Sequence, residues 1–208
     1  MENGYWTVQT PATALVVIER SRFIGHCLEV EDELTAKAFI AKVRAEHGQA
    51  NHNCFAYRIG AGKNPFEYFN DHGEPSGTAG KPILGAIQRL NLTNVAVVVT
   101  RYFGGKKLGV RGLIEAYGQS ATAVLETAGS VLRIPTLHLE LVCGYPEYAS
   151  LVYQLQQIEA TVAATDFTDV VTLRFHLAEA YRERLAVIQE LFPFCQITEI
   201  EKPNNQNP

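Results

Sequence analysis

Residues 94–113 read NVAVVVTRYFGGKKLGVRGL, and their interpretation decides the fold. Val95 to Val99 form an unbroken apolar run with no polar face. A strand of that kind is covered on both sides, which places Asn94–Arg101 at the centre of a sheet. Tyr102–Gly109 then interrupts the run with glycines and lysines. Helical spacing returns after it, and predicts a helix from about Val110 to Thr127, stopped by Gly129. A central strand, a basic glycine-rich loop and a helix start thus follow one another directly. That order sets the free N–H groups of a helix start beside a strand end, where crevices form.

Upstream lies a second loop of the same kind, FNDHGEPSGTAGKPILG, Phe69–Gly85. It follows the strands His52–Ile59 and Phe66–Phe69. It opens a helix that Thr78 is expected to cap and that runs to about Leu90, with Pro82 tolerable only in the first turn. Further upstream, Thr13–Glu19 and Arg22–Val30 read as strands. Ala36, Phe39, Ile40 and Val43 mark the buried face of a helix that starts near Asp32 or Glu33 and ends at Gly48.

Beyond Gly129 the pattern changes. Leu132–Cys143 reads as a strand, Glu147–Glu159 as a helix, Thr161–Thr165 and Val170–Leu177 as strands, Glu179–Leu191 as a helix and Cys195–Ile200 as a last strand. This βαββαβ order is ferredoxin-like. The domain boundary is expected at Gly129–Leu132, giving domains 1–130 and 131–208, with a disordered polar tail from Pro203.

Composition narrows the function. The chain has 208 residues, 47% hydrophobic and 19% charged, an ordinary globular balance. The four cysteines form no CxxC, which argues against a zinc ribbon and a disulfide scaffold and suits a reducing cytoplasm. The net charge of −4 is uneven: residues 1–130 carry +1 and residues 131–208 carry −5. No acidic residue occurs from Pro75 to Ile114, a stretch that holds Lys81, Arg89, Arg101, Lys106, Lys107 and Arg111. A cationic stretch on an acidic protein points to an anionic partner at one place. The anion-binding candidates are Lys81, Arg101, Lys106, Lys107 and Arg111, with Thr78, Gly80, Gly104 and Gly105 offering backbone N–H groups. No Walker A loop and no GxGxxG is present, and Gly109–Gly112 matches the KH-type GxxG without its preceding helix.

Asp71, His72 and Glu74 allow a catalytic or metal reading, with His52 and Cys54 as further ligands. The reading adopted is that Asp71 and Glu74 brace the loop by accepting its N–H groups and pairing with Lys81 or Arg101, and no metal is expected. No cofactor is expected. Tyr102, Phe103 and Tyr117 are candidate stacking faces for bases.

HGEPSGTAGKPIL (72–84) and VVVTRYFGGKKLGVRGLIEAYG (97–118), flanked by SRFIGH (21–26) and HNCFAY (52–57), resemble the signature of the YigZ/IMPACT family. Members commonly have Asp-Asp-Gly-Glu-Pro where this chain has Asp71-His72-Gly73-Glu74-Pro75, and many have Gly-Gly-Leu where it has Arg111-Gly112-Leu113. The resemblance implies an α+β protein of two domains: an N-terminal domain of the ribosomal S5 domain 2-like type and a ferredoxin-like C-terminal domain. That tandem is similar to the last two domains of elongation factor G. Eukaryotic members relieve translational repression with an additional RWD domain, which the resemblance does not extend to this chain. It is identified as a YigZ-type member. The expectation is a cytoplasmic, non-enzymatic protein that binds RNA or the ribosome and modulates translation, with no membrane partner. The alternatives are a small hydrolase acting on a phosphorylated or nucleotide substrate, and a protein-interaction module that uses the acidic second domain.

Overall fold

A computed structural model describes residues 4–62 and 64–201. The expected tail from Pro203 lies outside the described residues. The chain divides into two compact units, with the division between Arg133 and Ile134. Its class is the two-domain α+β arrangement that the resemblance implies.

The first unit opens with β1 (Tyr5–Val8), β2 (Ala12–Ile18) and β3 (Ser21–Glu29). A two-residue turn joins β2 to β3, with Glu19 and Arg20 both at positive φ (47° and 67°). This mirror-image turn matches the twist of a hairpin. Helix α1 (Glu33–Glu46) starts at a capping box in which Asp32 and Thr35 satisfy each other's backbone N–H groups. Next come β4 (His52–Ile59), β5 (Phe66–Asn70), α2 (Gly80–Arg89), β6 (Val95–Tyr102), α3 (Gly109–Ala128) and β7 (Ser130–Arg133).

Five of these strands form one antiparallel sheet in the order β2-β3-β6-β4-β5. Strand β6 is central, as its apolar run requires. Val95, Val97 and Val99 pack toward α2 and α3 with Phe23, Ile83, Tyr117 and Val124. Ala96 and Val98 pack on the other face with Ile40, Val43 and Tyr57. Each buried valine is worth roughly 1.5–3 kcal/mol relative to an exposed one. Helix α3 lies close on β3: a Cβ on Gly25 would sit 2.9 Å from Val124.

The expected strand Leu132–Cys143 is in fact two. Its start belongs to β7, which pairs with β1 in a separate two-stranded sheet. The interruption falls at Ile134-Pro135, where proline lacks a donor and restricts the residue before it.

The second unit contains β8 (Thr136–Cys143), α4 (Tyr145–Gln157), β9 (Thr161–Phe167), β10 (Val171–Ala178), α5 (Arg182–Leu191) and β11 (Gln196–Glu199). The expected helix Glu179–Leu191 begins as a 3-10 turn, Glu179–Tyr181, before α5. The sheet order β11-β8-β10-β9, antiparallel throughout, is that of a ferredoxin-like domain. Leu139, Leu141, Leu173 and Phe175 line its core against Leu151, Leu155 and Ile188.

Candidate functional site

The loop between β5 and α2 is organised around Asp71. Its carboxylate accepts N–H groups from Gly77 (2.8 Å), Ala79 (3.0 Å) and Gly80 (2.8 Å). Thr78 does not cap α2. Its hydroxyl donates to the Pro75 carbonyl, and Ala79 occupies the N-cap position without a side-chain cap. The carboxylate therefore sits where free N–H groups and the helix dipole would hold an external anion. Gly80 is required by close approach, since a Cβ there would lie 2.8 Å from the Asn70 nitrogen.

Glu74 turns the other way, into the protein. Its Oε1 lies 2.6 Å from Arg101 Nη1, and it accepts a 2.9 Å hydrogen bond from the Tyr117 hydroxyl. The side chains of Glu74 and Arg101 are 4% and 7% exposed, so the pair is desolvated. Arg101 continues the Val95-Val97-Val99 face to the end of β6, between Phe23 and His52 on the neighbouring strands. Its guanidinium lies 5.4 Å from the ring centroids of both Phe23 and Phe103, and its Nε has no hydrogen-bond partner. His52 Nδ1 is 2.9 Å from the His72 carbonyl. A carbonyl only accepts, so Nδ1 carries the proton. The other ring nitrogen, Nε2, lies 3.8 Å from Glu74.

Burial raises the Tyr117 hydroxyl far above its ordinary range, and Cys54 and Glu74 beside it add to the effect. Burial likewise pushes the Cys54 thiol up to about 12. Its Sγ donates to the Asp71 carbonyl at 2.9 Å. Both groups stay protonated at neutral pH, so neither is a ready nucleophile. Among the described residues, no group of three or more His, Cys, Asp or Glu side chains is arranged to hold a metal.

The loop between β6 and α3 is built differently. The Gly104 N–H donates to Ser21 Oγ, and a Cβ on Gly104 would collide with the Arg20 backbone. Gly105, at φ +87°, faces open space. Asn51 Oδ1 accepts the Phe103 N–H at 2.8 Å. Helix α3 starts after Leu108 with no side-chain cap and no acidic residue in its first turn. That helix start forms part of a cleft of about 460 Å³, whose other walls include His52, Glu74, Arg101, Phe103 and Lys107.

The structure brings only part of the sequence-derived set to this cleft. Arg101, Lys107 and Glu74 line it. Lys106 pairs instead with Glu19 at 2.7 Å and Arg111 with Glu115 at 2.9 Å, both on the surface. Lys81, Thr78, Gly80, Gly104, Gly105 and Asp71 are not among its walls. Tyr117 is fully buried and offers no stacking face, whereas Phe103 is 45% exposed at the cleft. The sequence gives Asn51 no role, and it gives His52 one only as a further member of the Asp71–His72–Glu74 metal or acid–base group. Nothing local marks Asn51, because its role comes from a contact 52 residues away.

The Impact N-terminal domain family model matches residues 19–125. The chain is 35% identical to the IMPACT family member YigZ of Escherichia coli over 82% of this chain and 84% of that one. It is 47% identical to the IMPACT family member YvyE of Bacillus subtilis over 64% of this chain, a match that spans 61% of YvyE. Among solved structures, a crystal structure of a hypothetical protein aligns with a TM-score of 0.67 at 32% identity, covering 97% of this chain and all of that one.

Proposed function

The chain belongs to the IMPACT family, and on that premise we propose that it is a cytoplasmic, non-enzymatic protein of translation that grips the backbone of RNA. No helix among the described residues is long and apolar enough to cross a membrane. One observation carries the reading: the uncapped start of α3 opens on the same cleft as Lys107 and Arg101. Free N–H groups, the helix dipole and a cation there suit a phosphate. Arg101 supplies shape more than charge, because Glu74 neutralises it. The pairs of Lys106 and Arg111 are exposed and screened by water, so phosphate can displace their carboxylates.

The test is filter binding to a generic single-stranded RNA at two salt concentrations. Affinity falls steeply with salt, and replacing both Lys106 and Lys107 with alanine weakens binding and flattens the log–log slope by about 1.4. Undetectable binding of the wild type at low salt overturns the proposal.

A second reading, a hydrolase for a small phosphorylated substrate, is favoured by His52. Its Nδ1 is pinned on a carbonyl, which leaves Nε2 as the nitrogen beside Glu74. That reading requires turnover that His52→Gln abolishes, together with weak dependence on salt.

A further inference from the structure

A second concavity lies on the α1 face of the same sheet, with a volume of about 720 Å³. This is within the roughly 300–1,000 Å³ of small-ligand sites. Its floor is aromatic: Tyr68 on β5 is the open ring, and the buried Phe55 and Tyr57 on β4 back it. Tyr57 and Tyr68 stack at 5.5 Å and 26°, and Phe55 lies nearly parallel to Tyr57 at 6.4 Å. Strand β5 is a sheet edge, and Tyr68 is 44% exposed on it. Edges are usually blunted with charge, so a ring left open there calls for an occupant.

The rim is charged in a way that selects that occupant. Lys37 and Arg44 stand on α1 beside the rings, with the Arg44 guanidinium 5.1 Å from the Phe55 centroid. Arg44 Nε is buried with no hydrogen-bond partner. Glu33 accepts the Tyr57 hydroxyl at 2.7 Å and holds Lys37 at 3.2 Å. The Asn70 side chain completes the wall. One open flat face, two cations and an amide around one concavity fit a heterocycle that carries a phosphate.

The groove also connects to the cleft through the chain itself. Asn70 Oδ1 accepts the His72 N–H, and the His72 carbonyl holds His52, which lines the cleft.

We propose that Tyr68, backed by the buried rings of Tyr57 and Phe55, is the stacking face for an unpaired base of single-stranded RNA, with Lys37 and Arg44 holding its phosphate. This inference rests on the RNA reading given above and deepens it: the ligand is single-stranded, because a duplex hides its base faces inside the stack.

The test uses a short single-stranded RNA and an abasic strand of equal length, measured against the wild type and the Tyr68→Ala, Tyr68→Phe and Lys107→Ala variants. Tyr68 lies at an exposed edge, and circular dichroism checks that each variant is folded. Tyr68→Ala weakens binding of the RNA about tenfold and leaves binding of the abasic strand unchanged, whereas Tyr68→Phe retains wild-type affinity. Lys107→Ala weakens binding of both strands. If Tyr68→Ala leaves RNA affinity unchanged while Lys107→Ala lowers it, the subsite is wrong and the backbone-gripping cleft stands. If Tyr68→Ala weakens binding and Lys107→Ala does not, the subsite stands and the cleft falls. Failure of the wild type to bind either strand overturns both. Loss of a dimer in Tyr68→Ala with no change in RNA affinity also overturns the subsite and assigns the groove to a second copy of the chain.

Discussion

The loops before α2 and before α3 look alike in sequence, yet they treat their helix starts in opposite ways. In the first, Asp71 fills the helix start and consumes the N–H groups of Gly77, Ala79 and Gly80. In the second, two of the cations are paired on the surface, Lys106 with Glu19 and Arg111 with Glu115, while Lys107 faces the cleft and the helix start is left open. Glycine-rich spacing alone therefore does not mark an anion site. What matters is whether an internal carboxylate already occupies the position a ligand would take.

The contrast is most easily broken at Asp71. Removing the carboxylate with Asp71→Ala strands three donors, two of them on the buried residues Ala79 and Gly80. The expected loss is about 3–5 kcal/mol in urea unfolding. A loss below about 1 kcal/mol would mean that water or a bound anion replaces Asp71, which would make the two loops equivalent after all.

Within the open loop, neighbouring glycines are expected to differ. Gly104→Ala drives a Cβ into the Arg20 backbone and should cost about 3 kcal/mol. Gly105→Ala meets no neighbour and strains only its φ of +87°, so about 1 kcal/mol is expected. Equal losses in thermal melts of the two variants would remove the distinction between a packed and an open half of this loop.

The smallest effect concerns pH. Burial holds the His26 imidazole below its ordinary range, the nearby His47 lowers it further, and Glu46 opposes the shift. The His72 ring is lowered as well, by burial and then by Arg44 and His52. Near pH 6.5 the unfolded chain takes up protons that the folded chain refuses. Stability is therefore full above that pH and falls as pH drops through it. Melting at pH 5.5 should come about 2 °C below that at pH 7.5, and His26→Gln should shrink the difference. A rise in Tm on acidification would contradict the assigned direction.

Much of the fold was legible because its signals are local. The run Val95–Val99 placed β6 at the centre of the sheet, and the spacing of Ala36, Ile40 and Val43 gave the buried face of α1. His52–Ile59 was read to its observed ends. Strand β1 was not legible, since Tyr5–Val8 is short and takes its partners, Ser130–Arg133 and a bridge at Leu92, from far along the chain. The same pairing explains why β7 was read as the start of the next strand. In the site, the bracing role of Asp71 and the Glu74–Arg101 pair were readable, but the other partners were not. Thr78 has the chemistry of a cap, yet Asp71 reaches the helix start because the loop folds back on itself.

By itself the sequence determined the family, the α+β class and the ferredoxin-like order of the second domain. Those depend on periodicity and on motifs that neighbouring residues carry together. Only the tertiary structure decided which charges are spent and which are free. Glu74 meets Arg101, Tyr117 and His52 across gaps of 27, 43 and 22 positions, and Lys106 meets Glu19 across 87. A charge's value to a ligand depends on its nearest opposite charge and on its exposure to water, and both are properties of packing rather than of order along the chain.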